Sequence, residues 1–268
     1  MPDAPPVVLT IAGFDPSSGA GVTADIKTIA AHTCYGVSCI TALTVQSTAG
    51  VTRVEPVSAQ LVSATLDELA SDLDIAAVHI GMLGSAQVAR AVADFLSSAR
   101  LQNIVLDPIL KSSSGADLVD RAGVKVLTER LLPLATVATP NMAEAAVLTG
   151  MAVENTDQMR VAAARLHDMG SANVVVTGGE LEKATEFLSF TTPRGVREEQ
   201  IFRAERQRSR STHGTGCAFA TSLTCCLSLG MTLPEAVAQA QQYVFRGIQQ
   251  AEPLGKGIGP INHLWNRG

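Results

Sequence analysis

The sequence predicts a three-layer α/β/α sandwich, with a mostly parallel central sheet, helices on both of its faces and a β-hairpin late in the chain. Three observations carry this. The 268 residues are 46% apolar and 17% charged, enough to bury a large core, and are read as one domain over residues 1–268. Short Val/Ile-rich runs alternate with longer amphipathic ones, as in successive βαβ units. The alternation stops after Gly179, where two strand-like runs follow one another.

The elements follow in order. "VVLTIAG" from Val7, "GVSCITALTV" from Gly36, "AAVHIG" from Ala76, "NIVLD" from Asn103, "ATVAT" from Ala135 and "NVVVTGG" from Asn173 have the length and β-branched content of buried strands. Between them, "AQLVSATLDELASDL" and "SAQVARAVADFLSSA" repeat their apolar residues at helical spacing, each opening near a serine able to cap it. "TEFLSFT" and "VREEQIFRAE", joined by the turn-like "TPRG", make the hairpin. Two helices then close the chain.

Composition narrows the function. A net charge of -5 and a pI near 5.5 argue against nucleic acid or an anionic membrane as partner, and favour a small molecule. Five cysteines, an odd number without a CxxC pair, suggest neither a disulfide framework nor a zinc site and point to a reducing compartment. The five histidines show no ligand spacing, so no protein-held transition metal is expected. "MPDAPP" has no charged region leading into an apolar one, and no apolar run reaches the ~18 residues of a membrane span. The expected location is the cytoplasm.

Ligands of open parallel sheets sit beyond the carboxyl ends of the strands. Five loops qualify there: "GFDPSSGAG", "QSTAG", "GMLGS", "DPILKSSSG" and "TPNMAEA". The first lacks the GK[ST] ending of a Walker A loop and does not match GxGxxG; it is a ligand loop or a tight strand-to-helix turn. "THGTGC" at 212–217 is more specific. A helix starting there leaves the N–H groups of Gly214, Thr215, Gly216 and Cys217 unpaired in a positive field, which suits an anion and favours a Cys217 thiolate. The alternative is a plain helix cap followed by a buried, inert cysteine. Asn141 and Glu144, three residues apart on a first helical turn, could join Asp107 in holding Mg²⁺ and its waters; a Pro-Asn cap with a Glu favoured by the helix dipole is the other reading. Met82 by itself reads as core.

These blocks carry a resemblance. "LTIAGFDPSSGAGVTADIKT", "YGVSCITALTVQSTAGV", "VHIGMLGS", "DPILKSSSG", "ATPNMAEA", "VVVTGG", "STHGTGCAFAT" and "GKGIGPINHLW" are similar, in the same order from Val7 to Trp265, to the bacterial hydroxymethylpyrimidine and phosphomethylpyrimidine kinases of thiamine biosynthesis, members of the ribokinase-like superfamily. The resemblance implies ATP- and Mg²⁺-dependent phosphorylation of 4-amino-5-hydroxymethyl-2-methylpyrimidine and then of its monophosphate, by a homodimer. It places Gly13 and Asp25 near the acceptor, Gln46 on the aminopyrimidine edge and Met82 on the ring face. It also puts Asp107, Asn141 and Glu144 at metal and phosphate positions, Thr177 to Gly179 towards the nucleotide, and Gly214 to Cys217 in the anion hole, with Cys217 where related sugar kinases carry an aspartate base.

The chain departs from the family pattern in places. Phe14 stands where serine is usual, and "VTGGE" (Thr177 to Glu180) replaces the commoner "VKGGH". Ser113 takes a position that often holds lysine, with Lys111 two residues earlier, and the hairpin lacks the usual "DLL" opening. Two other functions stay open at this point: a pyridoxal kinase, whose substrate also offers a hydroxymethyl group on a flat aza-ring, and a pyrimidine-binding sensor without turnover.

Overall fold

Side-chain alternation along the strands builds two cores at once. In the computed structural model, which describes residues 4–112 and 115–267, successive residues of one strand belong to opposite faces of a sheet. Ile104 and Leu106 of β5 (Ile104–Leu106) and Val174 and Val176 of β7 (Val174–Gly178) join the larger core, with α2 (Ala59–Asp72), α3 (Ala86–Ala99) and α6 (Thr156–Asp168). Val105 and Val175, one residue away, join the other, with α7 (Thr215–Ser228) and α8 (Leu233–Gln249). α1 (Gly21–Ala31) shares that second face, where its Ile29 meets Cys225 of α7. The result is the three-layer sandwich expected from the sequence.

The remaining elements complete a nine-stranded sheet: β1 (Val7–Phe14), β2 (Tyr35–Ser47), β3 (Gly50–Pro56), β4 (Ile75–Ile80), β6 (Val137–Ala138), β8 (Lys183–Thr191) and β9 (Arg197–Glu205). Their order is β3-β2-β1-β4-β5-β6-β7-β8-β9, parallel from β2 to β7 and antiparallel at both edges. All six expected parallel strands and the late hairpin are present. The expected serine caps are present too: Ser58 accepts from the Leu61 N–H and Ser85 from the Val88 N–H. α4 (Arg121–Val126) and α5 (Met142–Thr149) complete the helices used below.

One strand was not foreseen. "QSTAG" is a hairpin turn rather than a loop into a helix, and β3 returns along β2 from it. Thr52 and Arg53 fall side by side between Val51 and Val54, which breaks the apolar alternation that marks a strand. The β2–β3 register slips between Val45 and Gln46. Such bulges re-aim a side chain, here Gln46. Because β1 pairs with β2 on one side and β4 on the other, the connections diverge at β1 and open a crevice beyond its carboxyl end.

The last residues lock onto α8 and α1. The Tyr243 hydroxyl donates to the His263 carbonyl, and Ile261 and Trp265 pack with Tyr243 and Ala31. Burial, helped by Lys27, lowers the His263 pKa from 6.5 to about 4. A histidine held neutral by the fold takes a proton more readily when unfolded. Its contribution is therefore complete above pH ~6.5, is lost as pH falls towards about 4, and is level below that. Between pH 7 and 5 this amounts to about 2 kcal/mol. Asp107, Glu144 and Glu186, whose carboxyls burial raises, shift stability the other way over this range, so the check is a difference: in urea unfolding the stability of the wild type relative to His263→Gln should fall by that amount from pH 7 to pH 5.

Candidate active site

A helix whose first turn no side chain caps is the centre of the site. α7 starts after Gly214, which sits at φ +79 and gives no side-chain cap. Any other residue there would be strained, and its Cβ would stand 1.9 Å from the Gly19 carbonyl oxygen. A Cβ on Gly216 would meet no atom within 4 Å beyond its chain neighbours and the backbone of its own helix turn, so the chain's own packing does not call for glycine at that position. The empty space belongs to a cleft of about 920 Å³.

Along that cleft lie Gly13, Gln46, Met82, Asp107, Asn141, Glu144, Thr177, Gly179, Gly214, Thr215, Gly216 and Cys217. Twelve of the thirteen residues singled out from the sequence therefore share one surface, although they come from seven separate stretches of chain. The thirteenth does not. Asp25 is fully buried behind the lining, where the hydroxyls of Thr10 (2.6 Å) and Thr221 (2.8 Å) donate to its carboxylate and His79 Nδ1 lies 3.3 Å away. α1 turns it into the layer between helix and sheet, so it supports the site from beneath.

Two carboxyls face the hole. Glu144 closes a capping box: it accepts from the Asn141 N–H at 2.9 Å while Asn141 Oδ1 accepts from the Glu144 N–H at 2.9 Å. The cap reading of "PNMAEA" is thus present, and the cap also fixes the carboxylate on the cleft. Burial raises Glu144 to about 7, against the opposing N–H groups of Asn141 and Leu110. Asp107 is pushed up further, by burial and then by Glu144 and Asp25, and its Oδ2 is buried without a hydrogen-bond partner. Two neighbouring carboxyls raised by burial, one of them also by the other and left with an orphaned oxygen, fit a divalent cation that draws its other ligands from phosphate and water. Among the described residues no group of three or more His, Cys, Asp or Glu is arranged to hold a metal alone.

The same carboxyls correct the reading of Cys217. Its thiol is pushed well above its usual pKa by burial, then by Asp107 and Asp25, with the Gly21 N–H and Glu144 acting more weakly in opposite directions. The field of the helix start, expected to favour a thiolate, loses to burial and negative neighbours. In this state Cys217 contributes a backbone N–H and a neutral thiol, not a resting base. Cys225 and Cys226 are core, as expected.

The sequence reading missed a polar cluster at the Gln46 end of the cleft. Asp15 accepts from the N–H groups of Ser17 (2.8 Å), Gly19 (3.3 Å) and Ala20 (3.0 Å), and His213 Nε2 lies 2.8 Å from its Oδ2. Burial pushes the Asp15 carboxyl up, but His213 and Ser17 outweigh it and hold it below the usual value. The pair ties the first loop to the start of α7. Gln46 lies beside it, with Nε2 3.1 Å from His213 Nε2 and Oε1 3.2 Å from Thr44 Oγ1. The signal was the histidine inside "THGTGC", passed over because it has no metal-ligand spacing.

Of the departures, Phe14, Thr177 and Glu180 line the cleft and Ser113 lies outside the described residues. Lys111, beside Ser113 in sequence, pairs with Asp117 at 3.1 Å. No helix among the described residues is long and apolar enough to cross a membrane.

The chain is similar to known kinases along most of its length. A family model described as phosphomethylpyrimidine kinase matches residues 15–262. The hydroxymethylpyrimidine/phosphomethylpyrimidine kinase of Haemophilus influenzae is 38% identical over 257 residues, covering 96% of each chain. The thiamine biosynthesis bifunctional protein ThiED of Geobacter sulfurreducens is 41% identical over 266 residues, 96% of this chain; the chain spans about half, 52%, of that longer relative. Among solved structures, an ADP complex of Bacillus subtilis pyridoxal kinase superposes with a TM-score of 0.88 at 31% identity, over 98% of this chain and 99% of that one. A phosphomethylpyrimidine kinase from Clostridium difficile 630 gives 0.77 at 31% identity, over 90% and 98%.

Proposed function

The chain belongs to the phosphomethylpyrimidine kinase family, and from that premise we propose that it transfers the γ-phosphoryl group of ATP to 4-amino-5-hydroxymethyl-2-methylpyrimidine and then to the resulting monophosphate, in thiamine biosynthesis. The observation that carries the reading is the uncapped start of α7, which lines the same cleft as Gln46 and Met82 and as Thr177 and Gly179. The acceptor lies at the Gln46 end, over Met82, which packs with Ala42 and Leu118. The nucleotide extends past Thr177 and Gly179 towards Phe219 and Val244 of α7 and α8. The N–H groups of the first turn of α7 take the charge that develops on the transferring phosphoryl group, which positioning and electrostatics govern.

Asp107 and Glu144, with Asn141 fixing Glu144, are the residues that would hold Mg²⁺. Bound there with ATP, the ion supplies charge neutralisation of phosphates and carboxyls. Asp25 holds its hydroxyl partners on α7 and β1, and Gly13 leaves room beside the ring. We read the chain as one kinase domain working as a cytoplasmic homodimer, with all five cysteines free. Pyridoxal kinase remains the second reading because of the close superposition on one.

Gln46→Leu tests the acceptor end. It keeps the volume near constant but removes the hydrogen bonds to the ring, at a cost of about 1 to 3 kcal/mol. Calorimetry should show weaker pyrimidine binding and unchanged ATP binding. Unchanged pyrimidine affinity would remove Gln46 from the ring.

A further inference from the structure

We infer that His213 sets the orientation of the Gln46 carboxamide, and thereby decides that the enzyme reads a 4-amino rather than a 4-oxo pyrimidine. The inference rests on the reading of Gln46 as the ring-facing residue.

Hydrogens decide the matter. A carboxamide can exchange its O and N by a half-turn with no change in shape, so its neighbours fix which atom lies where. His213 Nε2 stands 2.8 Å from Oδ2 of Asp15, a carboxyl held ionised by its N–H donors. Two acceptors cannot face each other at that distance, so Nε2 carries the proton. With its proton directed there, Nε2 has no lone pair in the ring plane to receive an N–H from Gln46. At 3.1 Å the amide atom facing it is then the oxygen, which shares the one Nε2 proton with Asp15 as the weaker acceptor of a three-centre bond.

Thr44 leads to the same orientation. Its one hydroxyl proton goes to the Phe14 carbonyl at 2.9 Å, which leaves lone pairs for an N–H donor. The Gln46 amide atom 3.2 Å away satisfies it as the nitrogen. The half-turned amide, with oxygen towards His213 and NH₂ towards Thr44, meets both neighbours; the opposite one sets N–H against N–H.

The consequence concerns the substrate. After these two bonds Gln46 keeps one lone pair on its oxygen and one N–H. A 4-aminopyrimidine offers the complement, an amino donor beside the N3 acceptor. A 4-oxo ring offers the reverse, a carbonyl acceptor beside an N3–H donor, and fits only the opposite amide. Asp15 holds His213, His213 holds Gln46, and the oxo ring is refused. Packing strengthens the arrangement, since a Cβ on Gly19 would stand 2.3 Å from Cδ2 of His213, whose ring edge therefore sits close against the first loop.

The test compares ATP-dependent kcat/KM for 4-amino-5-hydroxymethyl-2-methylpyrimidine and its 4-oxo analogue in the wild type, His213→Phe and Gln46→Leu. Phe keeps the ring shape and removes the donor. The wild type should prefer the amino ring, and His213→Phe should reduce that preference at least ~10-fold, mainly by admitting the oxo ring. A purely structural role would lower both rates together and leave their ratio alone. If Gln46→Leu weakens the amino substrate while His213→Phe keeps the wild-type ratio, the inference is wrong and the reading of Gln46 survives. If Gln46→Leu changes neither acceptor, both fall. Should His213→Phe not fold, the wild-type protein with labelled glutamine decides the point by NMR. The Gln46 NH₂ protons should show contacts to the Thr44 methyl; contacts to His213 Hε1 instead would overturn the inference.

Discussion

Gly216→Ala should slow phosphoryl transfer about 10² to 10³-fold while leaving the protein as stable or slightly more so. A Cβ in a helix tilts towards the N-terminus, which at this position means into the anion hole. It would meet no atom within 4 Å beyond its chain neighbours and the backbone of its own helix turn, so the fold has no reason to resist it. Replacing glycine by alanine inside a helix contributes roughly 0.5 to 1 kcal/mol of stability. The methyl instead displaces the phosphoryl group from the N–H donors, and loss of one such donor costs about 10² to 10³ in kcat. Steady-state kinetics and thermal unfolding on the same preparation check both halves. Full activity in the variant would mean that no phosphate approaches this turn.

Asp107→Asn has the same double signature for a different reason. The Asp107 carboxyl is raised by burial, Glu144 and Asp25, so the folded state holds a proton that the unfolded state releases above pH ~3.9. Stability is therefore lost as pH rises from there through the folded pKa, and at neutral pH this group costs stability. Asparagine mimics the neutral form and should raise Tm. It removes the charge beside the phosphates, and should lower kcat about 10² to 10³-fold while increasing the Mg²⁺ concentration needed. Cys217→Ala is the contrast: it keeps the backbone N–H and removes a neutral thiol, and should slow either transfer less than about tenfold. A loss as large as that of Asp107→Asn, confined to the alcohol acceptor, would restore the thiol as a base. Gly216 and Asp107 together say where stability was given up for function.

What the sequence made legible follows from which forces are local. Short continuous apolar runs such as Val174 to Val176 need only their own residues to signal a buried strand, and Ser58 and Ser85 announce the helices they cap. β3 escaped because Thr52 and Arg53 interrupt the alternation and its pairing is set by the bulge at Gln46. Within the site, Gly214, Asn141 and Glu144 were visible because helix starts have their own chemistry. The protonation of Cys217 was not, since it depends on Asp107 and Asp25, each about a hundred residues or more away in sequence. The burial of Asp25 and the Asp15–His213–Gln46 chain were hidden for the same reason: each bond spans distant segments.

The central claim is transfer from ATP to a pyrimidine in this cleft. One coupled assay, with 4-amino-5-hydroxymethyl-2-methylpyrimidine, its monophosphate and pyridoxal offered separately at saturating ATP and Mg²⁺, tests it most directly. ADP should be released with both pyrimidines, and kcat/KM for pyridoxal should be lower by at least ~10-fold, because its ring does not offer the donor–acceptor edge that Gln46 reads. Release of ADP with pyridoxal alone, or pyrimidine binding with no release at all, would contradict the account.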